Sequence, residues 1–146
     1  MYFKRGRYIE VKMQNSTEIS CKSCTSELQR IRNTVKSACG EFGFDADKTA
    51  AVVLAVDEAC ANVIRHSCAY SDRFKLDLNI SQENNFGVFV VIDNCPPITE
   101  EQLSPKKDDP LNPGGLGLHL INQVMDSVTL LPYNDIGNRL QMKIKL

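Results

Sequence analysis

Apolar and polar residues alternate through Tyr8-Ile9-Glu10-Val11-Lys12-Met13, a period that predicts a half-buried strand. The Ser/Thr-containing stretch that follows can cap a helix through Glu27, Leu28, Ile31 and Val35, which should stop near Gly40 to Gly43. A second helix is predicted to start after Asp45 and run from Ala46 to about Ser67. On it Ala50, Val53, Leu54, Ala61 and Ile64 share one face and Val52, Val56 and Val63 cover another, so it should be largely buried. Alternation returns in Phe74–Ile80 and Phe86–Ile92, joined through Gln82-Glu83-Asn84-Asn85, which predicts an antiparallel hairpin. From Pro96 to Pro113 the chain is rich in proline and charge without a period, and a connection of that length predicts a lid. A helix then runs from the glycines at Gly114 to about Met125, and strands Ser127–Leu131 and Leu140–Lys145 flank a turn near Asp135–Asn138.

These elements predict an α+β, two-layer sandwich: a mixed, mostly antiparallel sheet with helices on one face. A length of 146 residues suits one domain, 1–146, with a real core. A net charge of -1 gives no broad electrostatic attraction for nucleic acid or an anionic membrane, so neither is an expected partner. No apolar run approaches a bilayer span, and the start, Met1-Tyr2-Phe3-Lys4-Arg5-Gly6-Arg7, lacks an apolar signal-peptide core, so a cytoplasmic location is expected. The cysteines are Cys21, Cys24, Cys39, Cys60, Cys68 and Cys95, several of them inside helical or strand patterns, and reduced thiols are the simplest expectation. Cys21-Lys22-Ser23-Cys24 has the spacing of half a zinc knuckle or a redox pair, but no second Cys or His pair stands at a matching distance.

Candidate chemistry lies in three places. Gly114-Gly115-Leu116-Gly117-Leu118 runs straight into a helix, so its backbone N–H groups and the helix dipole can cradle a phosphate; the same glycines also serve where a chain merely turns a corner. On the long helix Glu58, Asn62 and His66 stand four residues apart on one stripe, beside the small Ala51 and Ala55. A carboxylate there can take a proton and a neighbouring amide oxygen can ligate a hard cation such as Mg²⁺, although a solvated polar face reads the same way. Asp93 ends an apolar strand just before Asn94-Cys95-Pro96-Pro97, where it could read an adenine amino group or simply cap a turn.

In this order and spacing the three segments resemble the nucleotide-binding boxes of the Bergerat-fold ATPases, the superfamily of gyrase, Hsp90, histidine kinases and MutL. Ala55-Val56-Asp57-Glu58-Ala59-Cys60-Ala61-Asn62-Val63-Ile64-Arg65-His66, the Gly114–Ile121 segment with Val124-Met125-Asp126, and Gly137-Asn138-Arg139-Leu140 resemble the anti-sigma-factor serine/threonine protein kinases, over roughly Glu27 to the C-terminus. The resemblance implies Glu58 as general base toward a seryl or threonyl hydroxyl, Asn62 as holder of Mg²⁺, and Asp93 as acceptor of the adenine amine. It implies ATP cradled around Gly114, Gly115, Leu116, Gly117 and Leu118, with His66 supporting the site from the helix end. Lys106 and Lys107, in the lid, could reach a γ-phosphate. Implied partners are a STAS-type antagonist, a sigma factor or similar regulator, and a second copy of the chain, for which Ile9, Val11, Leu28 and Ile31 are the nominated surface. Cys95 stands where the family's second box carries glycine, which favours a competing expectation: a partner-sequestering module that binds nucleotide weakly. A histidine autokinase is disfavoured, because His66 and His119 are the chain's two histidines and both fall in the boxes.

Overall fold

The structure, a computed structural model, describes residues 16–99, 114–132 and 136–146. The strand expected at Tyr8–Met13 and nearly all of the lid, with Lys106 and Lys107, lie outside the described residues. The described elements are β1 (Thr17–Lys22), α1 (Leu28–Glu41), α2 (Ala46–Asn62), β2 (Lys75–Glu83), β3 (Phe86–Asp93), α3 (Gly114–Val124), β4 (Ser127–Leu130) and β5 (Asn138–Lys145). They form the expected α+β arrangement, with one correction to the sheet: the described strands have the order β1-β2-β3-β5-β4 and are antiparallel at every described pairing rather than mixed.

β1 is a second correction. Thr17–Lys22 was expected to be part of a cap, and instead pairs along its length with β2, Ile19 opposite Leu78 and Cys21 opposite Leu76. Its one fully buried residue is Ile19, so the alternation that marks a strand is too sparse to read from a period.

Period-two burial is plain in the central strands. Leu76, Leu78 and Ile80 of β2, Phe89 and Val91 of β3, and Leu140, Met142 and Ile144 of β5 point into one core with Ile31 and Val35 of α1 and Val52, Ala55, Val56 and Ala59 of α2. Lys75, Gln141 and Lys143, at alternate positions, are not buried, whereas Val88 of β3, also at an alternate position, is 1% exposed. Phe42, just past α1, meets Phe89 edge-on at 6.2 Å, and Gly87 makes room: a Cβ there would sit 3.0 Å from the Phe42 ring.

Asp45 caps α2 as expected, its carboxylate accepting from the Lys48 N–H at 2.8 Å. Val52, Val56, Ala61, Val63 and Ile64 are buried as expected, together with Ala55, Ala59 and Cys60, whereas Ala50 and Leu54 are exposed against expectation. The helix was expected to continue to Ser67, but beyond Asn62 it widens into a π turn, Val63–Ser67, closed by the Cys68 N–H on the Val63 carbonyl at 2.8 Å. Ala69 and Tyr70 follow with left-handed φ of 48° and 59°. Ile31, nominated for a dimer surface, is 1% exposed within the chain's own core and needs no outside cover.

Gly137 opens β5 at φ +124°, and a Cβ there would run into the Asp93 carbonyl. Gly137→Ala is therefore expected to cost about 1–3 kcal/mol of stability by chemical denaturation and to displace the end of β3. An unchanged midpoint would show that the turn tolerates a side chain.

Candidate functional site

The site residues come from three elements, α2, α3 and β3. α2 is in contact both with α3, whose first residues are the Gly114–Gly117 segment, and with β3, which ends at Asp93. The acid and amide of α2 thus lie on a helix that touches both the glycine-bearing helix and the strand ending in the proposed adenine acceptor.

On α2 the two adjacent acids part company, because successive helical residues point about 100° apart. Asp57 turns toward α1 and pairs with Arg32 at 2.9 Å. Glu58 remains on the stripe with Asn62, and Arg65 bridges them: its Nη2 lies 3.4 Å from Glu58 Oε2 and donates to Asn62 Oδ1 at 3.1 Å. Arg65 was not singled out from the sequence. Its spacing, three residues beyond Asn62 and seven beyond Glu58, is nevertheless the signal that places it on their stripe. His66, one residue on, is exposed.

At the sheet end Asp93 is 3% exposed. Its Oδ1 accepts from the Cys95 N–H at 2.9 Å and from Asn138 Nδ2 at 3.0 Å. Asn138, its register partner on β5, also receives the Ile98 N–H at 2.7 Å and donates to the Pro96 carbonyl at 3.0 Å, so one amide ties Asp93 to the chain leaving β3. Asn138 too carried no assigned role in the sequence; only its place beside Gly137 hinted at one. Burial pushes the Asp93 carboxyl above the ordinary carboxylate range, against the lowering effect of the Cys95 and Asn138 hydrogen bonds.

The atoms left over are informative. Among the described residues, the buried side-chain N and O atoms without a hydrogen-bond partner are Asn62 Nδ2, Arg65 Nε, Asp93 Oδ2 and Arg139 Nε. Three of the four belong to the residues just described. Orphaned buried polar atoms are costly and therefore rare, so each of these three has hydrogen-bonding capacity left for a polar group from outside the described residues.

The expectation of reduced thiols throughout is overturned by Cys68 and Cys95, which form a disulfide. Cys21, Cys24, Cys39 and Cys60 are free, so the Cys21/Cys24 pair is not closed. Burial pushes the Cys21 and Cys39 thiols up to about 11, which keeps both protonated and unreactive at neutral pH. Cys95 does not appear among the left-handed non-glycine residues, which are Ala69, Tyr70 and Asn84. Its side chain therefore stands in the glycine position without φ strain. Among the described residues the one group of ligand-type side chains close enough to share an ion is Cys68, Asp93 and Cys95, within 4.8 Å, and the sulfur–sulfur bond takes up two of the three.

A family model described as "Histidine kinase-like ATPase domain" matches residues 22–144, which takes in every described element from the end of β1 to β5. The chain belongs to that family. Curated relatives include the serine-protein kinase RsbW of Bacillus velezensis, 31% identical over 112 residues that cover 67% of this chain and 66% of the relative. The RsbW of Bacillus subtilis is 29% identical over 120 residues, covering 73% of this chain and 71% of the relative. The match to the first of these spans just under two thirds of its length. Among solved structures, the histidine kinase domain of the blue-light activated histidine kinase of Erythrobacter litoralis superposes with a TM-score of 0.55 at 16% identity, covering 83% of this chain and 60% of that one. That likeness is one of fold: the open antiparallel sheet under helices is a histidine kinase-like ATPase domain.

Proposed function

We propose that this chain is an ATP-dependent serine/threonine protein kinase that acts as an anti-sigma factor or similar partner-switching regulator by phosphorylating a STAS-type antagonist. The observation that carries the reading is Asp93, a buried carboxylate with one oxygen fully engaged and the other, Oδ2, unpartnered. A buried acceptor without a donor fits the adenine exocyclic amine. The relatives named as serine-protein kinases lend the acceptor chemistry, transfer to a hydroxyl.

In this reading Glu58 takes the proton from the attacking seryl or threonyl hydroxyl. Arg65 holds Glu58 and Asn62 toward each other and is a positioning residue. Asn62 suits Mg²⁺, because an amide oxygen has two lone pairs and Arg65 occupies one of them. When bound, Mg²⁺ supplies neutralisation of the phosphate charge. The amides of Gly114, Gly115, Leu116, Gly117 and Leu118 cradle the phosphates, and the exposed His66 flanks the site from the helix end. Phosphoryl transfer depends chiefly on positioning and charge neutralisation, and these residues supply both.

A sigma factor or similar regulator is the second partner, and a cytoplasmic location suits both. No described helix is long and apolar enough to cross a membrane. A homodimer is part of the proposal, with β1, an edge of the described sheet, and α1 as its surface. Light scattering is expected to give about twice the chain mass; a monomer at high concentration would remove the dimer.

The test is to mix the full chain with ATP, Mg²⁺ and a STAS protein encoded beside it, and to look for phosphoserine or phosphothreonine by mass spectrometry. No transfer, together with no heat on titrating an ATP analogue to millimolar concentration, overturns the kinase reading. That result would favour the second reading, a sequestering module without useful nucleotide affinity, which the cysteine in the glycine position motivates.

A further inference from the structure

Cys68 and Cys95 are 1% and 0% exposed, lie 27 residues apart in sequence and 5.2 Å apart at Cα, and are bonded to each other. Each end of that bond is anchored in the candidate site. Cys68 closes the π turn that continues α2, the helix of Glu58, Asn62 and Arg65. Cys95 lies two residues past Asp93, and its N–H is one of the two donors that hold Asp93 Oδ1. One covalent bond therefore joins the helix that carries the proposed base to the strand end that carries the proposed adenine acceptor.

The backbone beside the bond is held out of its preferred conformation. Ala69 and Tyr70 are both left-handed, a conformation unfavourable for non-glycine residues that persists only where the surroundings enforce it. The enforcing contacts are few: the disulfide itself, the Ser71 N–H on the Cys68 carbonyl at 2.9 Å, the Tyr70 N–H on the Ile64 carbonyl at 2.8 Å, and the Ser23 hydroxyl on the Ser71 carbonyl. Ala69 and Tyr70 are exposed, Tyr70 by 64%, so the strained segment next to the buried sulfurs lies at the surface.

We propose that Cys68 and Cys95 form a thiol–disulfide site that sets nucleotide affinity, the disulfide being the competent form and reduction by a dithiol the weakening event. The proposal rests on the nucleotide reading given above. In the oxidised form the Cys95 sulfur is fixed in the core within 4.8 Å of the Asp93 carboxylate, and the two ends that the bond joins are pre-positioned, which lowers the ordering cost of binding. On reduction a thiolate of the dithiol attacks one sulfur and forms a mixed disulfide, and the other cysteine leaves as a thiolate. The second thiol of the reductant then attacks its own partner sulfur and releases the remaining cysteine. Two electrons pass from the dithiol to the pair, the dithiol departs as its disulfide, and its two protons end on the Cys68 and Cys95 thiols. The freed turn relaxes, and the covalent link between the turn after α2 and the chain leaving β3 is lost.

The experiment uses the full chain, oxidised with glutathione disulfide or reduced with dithiothreitol, with the state of Cys68 and Cys95 read by alkylation and mass spectrometry. Each form is titrated calorimetrically with a non-hydrolysable ATP analogue and Mg²⁺. The expected result is affinity weaker by on the order of tenfold after reduction, restored by re-oxidation. The Cys68→Ser variant should bind with the reduced form's affinity and ignore the redox state, but the comparison on the unmutated chain does not depend on that variant folding. Equal affinity in both forms, or tighter binding on reduction, overturns the switch while leaving the nucleotide reading intact. Failure of native dithiol treatment to expose the two thiols to alkylation makes the bond a fixed brace and also overturns it. Binding by neither form overturns the nucleotide reading itself, and the switch falls with it.

Discussion

Glu58→Gln is expected to lower the rate of phosphoryl transfer to a protein hydroxyl by about 10²–10⁴-fold, the usual contribution of a positioned general base, while nucleotide affinity stays within a few-fold of the unmutated chain. The substitution keeps the size and the hydrogen-bonding reach of the side chain but cannot accept the hydroxyl proton. Arg65 keeps its bond to Asn62 Oδ1 and faces an amide oxygen in place of a carboxylate, so the local geometry should survive. Asp57, one residue away, cannot substitute, because Arg32 holds it on the α1 side of the helix. Single-turnover transfer from radiolabelled ATP, with calorimetry in parallel, checks both halves. Undiminished transfer would remove Glu58 as the base, and a joint loss of transfer and affinity would assign it to binding instead.

Asp93→Asn is expected to weaken ATP binding roughly ten- to hundredfold without unfolding the chain, since a hydrogen bond to a charged acceptor is worth about 1.5–3 kcal/mol. The asparagine Oδ1 can still accept from the Cys95 N–H and Asn138, but an amide NH₂ replaces Oδ2 and meets the adenine amine donor to donor. Stability should move the other way. Burial raises the Asp93 carboxyl pKa on folding, so its contribution favours the folded state below the unfolded carboxylate pKa and is lost as pH rises through the raised folded value. Removing the charge at neutral pH therefore leaves the thermal midpoint unchanged or higher. The same shift means that, in the unmutated chain, nucleotide affinity should begin to fall on acidification at a higher pH than an exposed carboxylate would dictate. Titrations across mildly acid pH check this: an acid limb at the ordinary carboxylate position, or an Asp93→Asn chain that binds ATP normally, would take Asp93 out of the adenine site.

The candidate site was legible in part because its signals are local. Glycine runs before a helix, an acid and amide one turn apart, and an acid at the end of an apolar strand each follow from spacing alone. Arg65 was legible in principle, by its position on the Glu58–Asn62 stripe, but a lone arginine near a helix end is ordinary until its partners are seen. Asn138 was not legible, because its role comes from strand register: only the β3–β5 pairing sets it opposite Asp93. β1 escaped for a related reason, having a single buried residue to mark it and its pairing with β2 to define it.

The alternating and helical periods of this chain, with Asp45 and its glycines, determined by themselves most of the helices and strands of the core and where the candidate glycine and acid–amide segments lie, because those properties are set within a few residues. Only the tertiary structure decided which of two neighbouring acids is left for chemistry, which amide fixes Asp93, and that two cysteines 27 residues apart meet beside it. Each of those outcomes depends on a contact between distant segments, and side-chain direction, burial and register exist only once the sheet and helices have closed on one another.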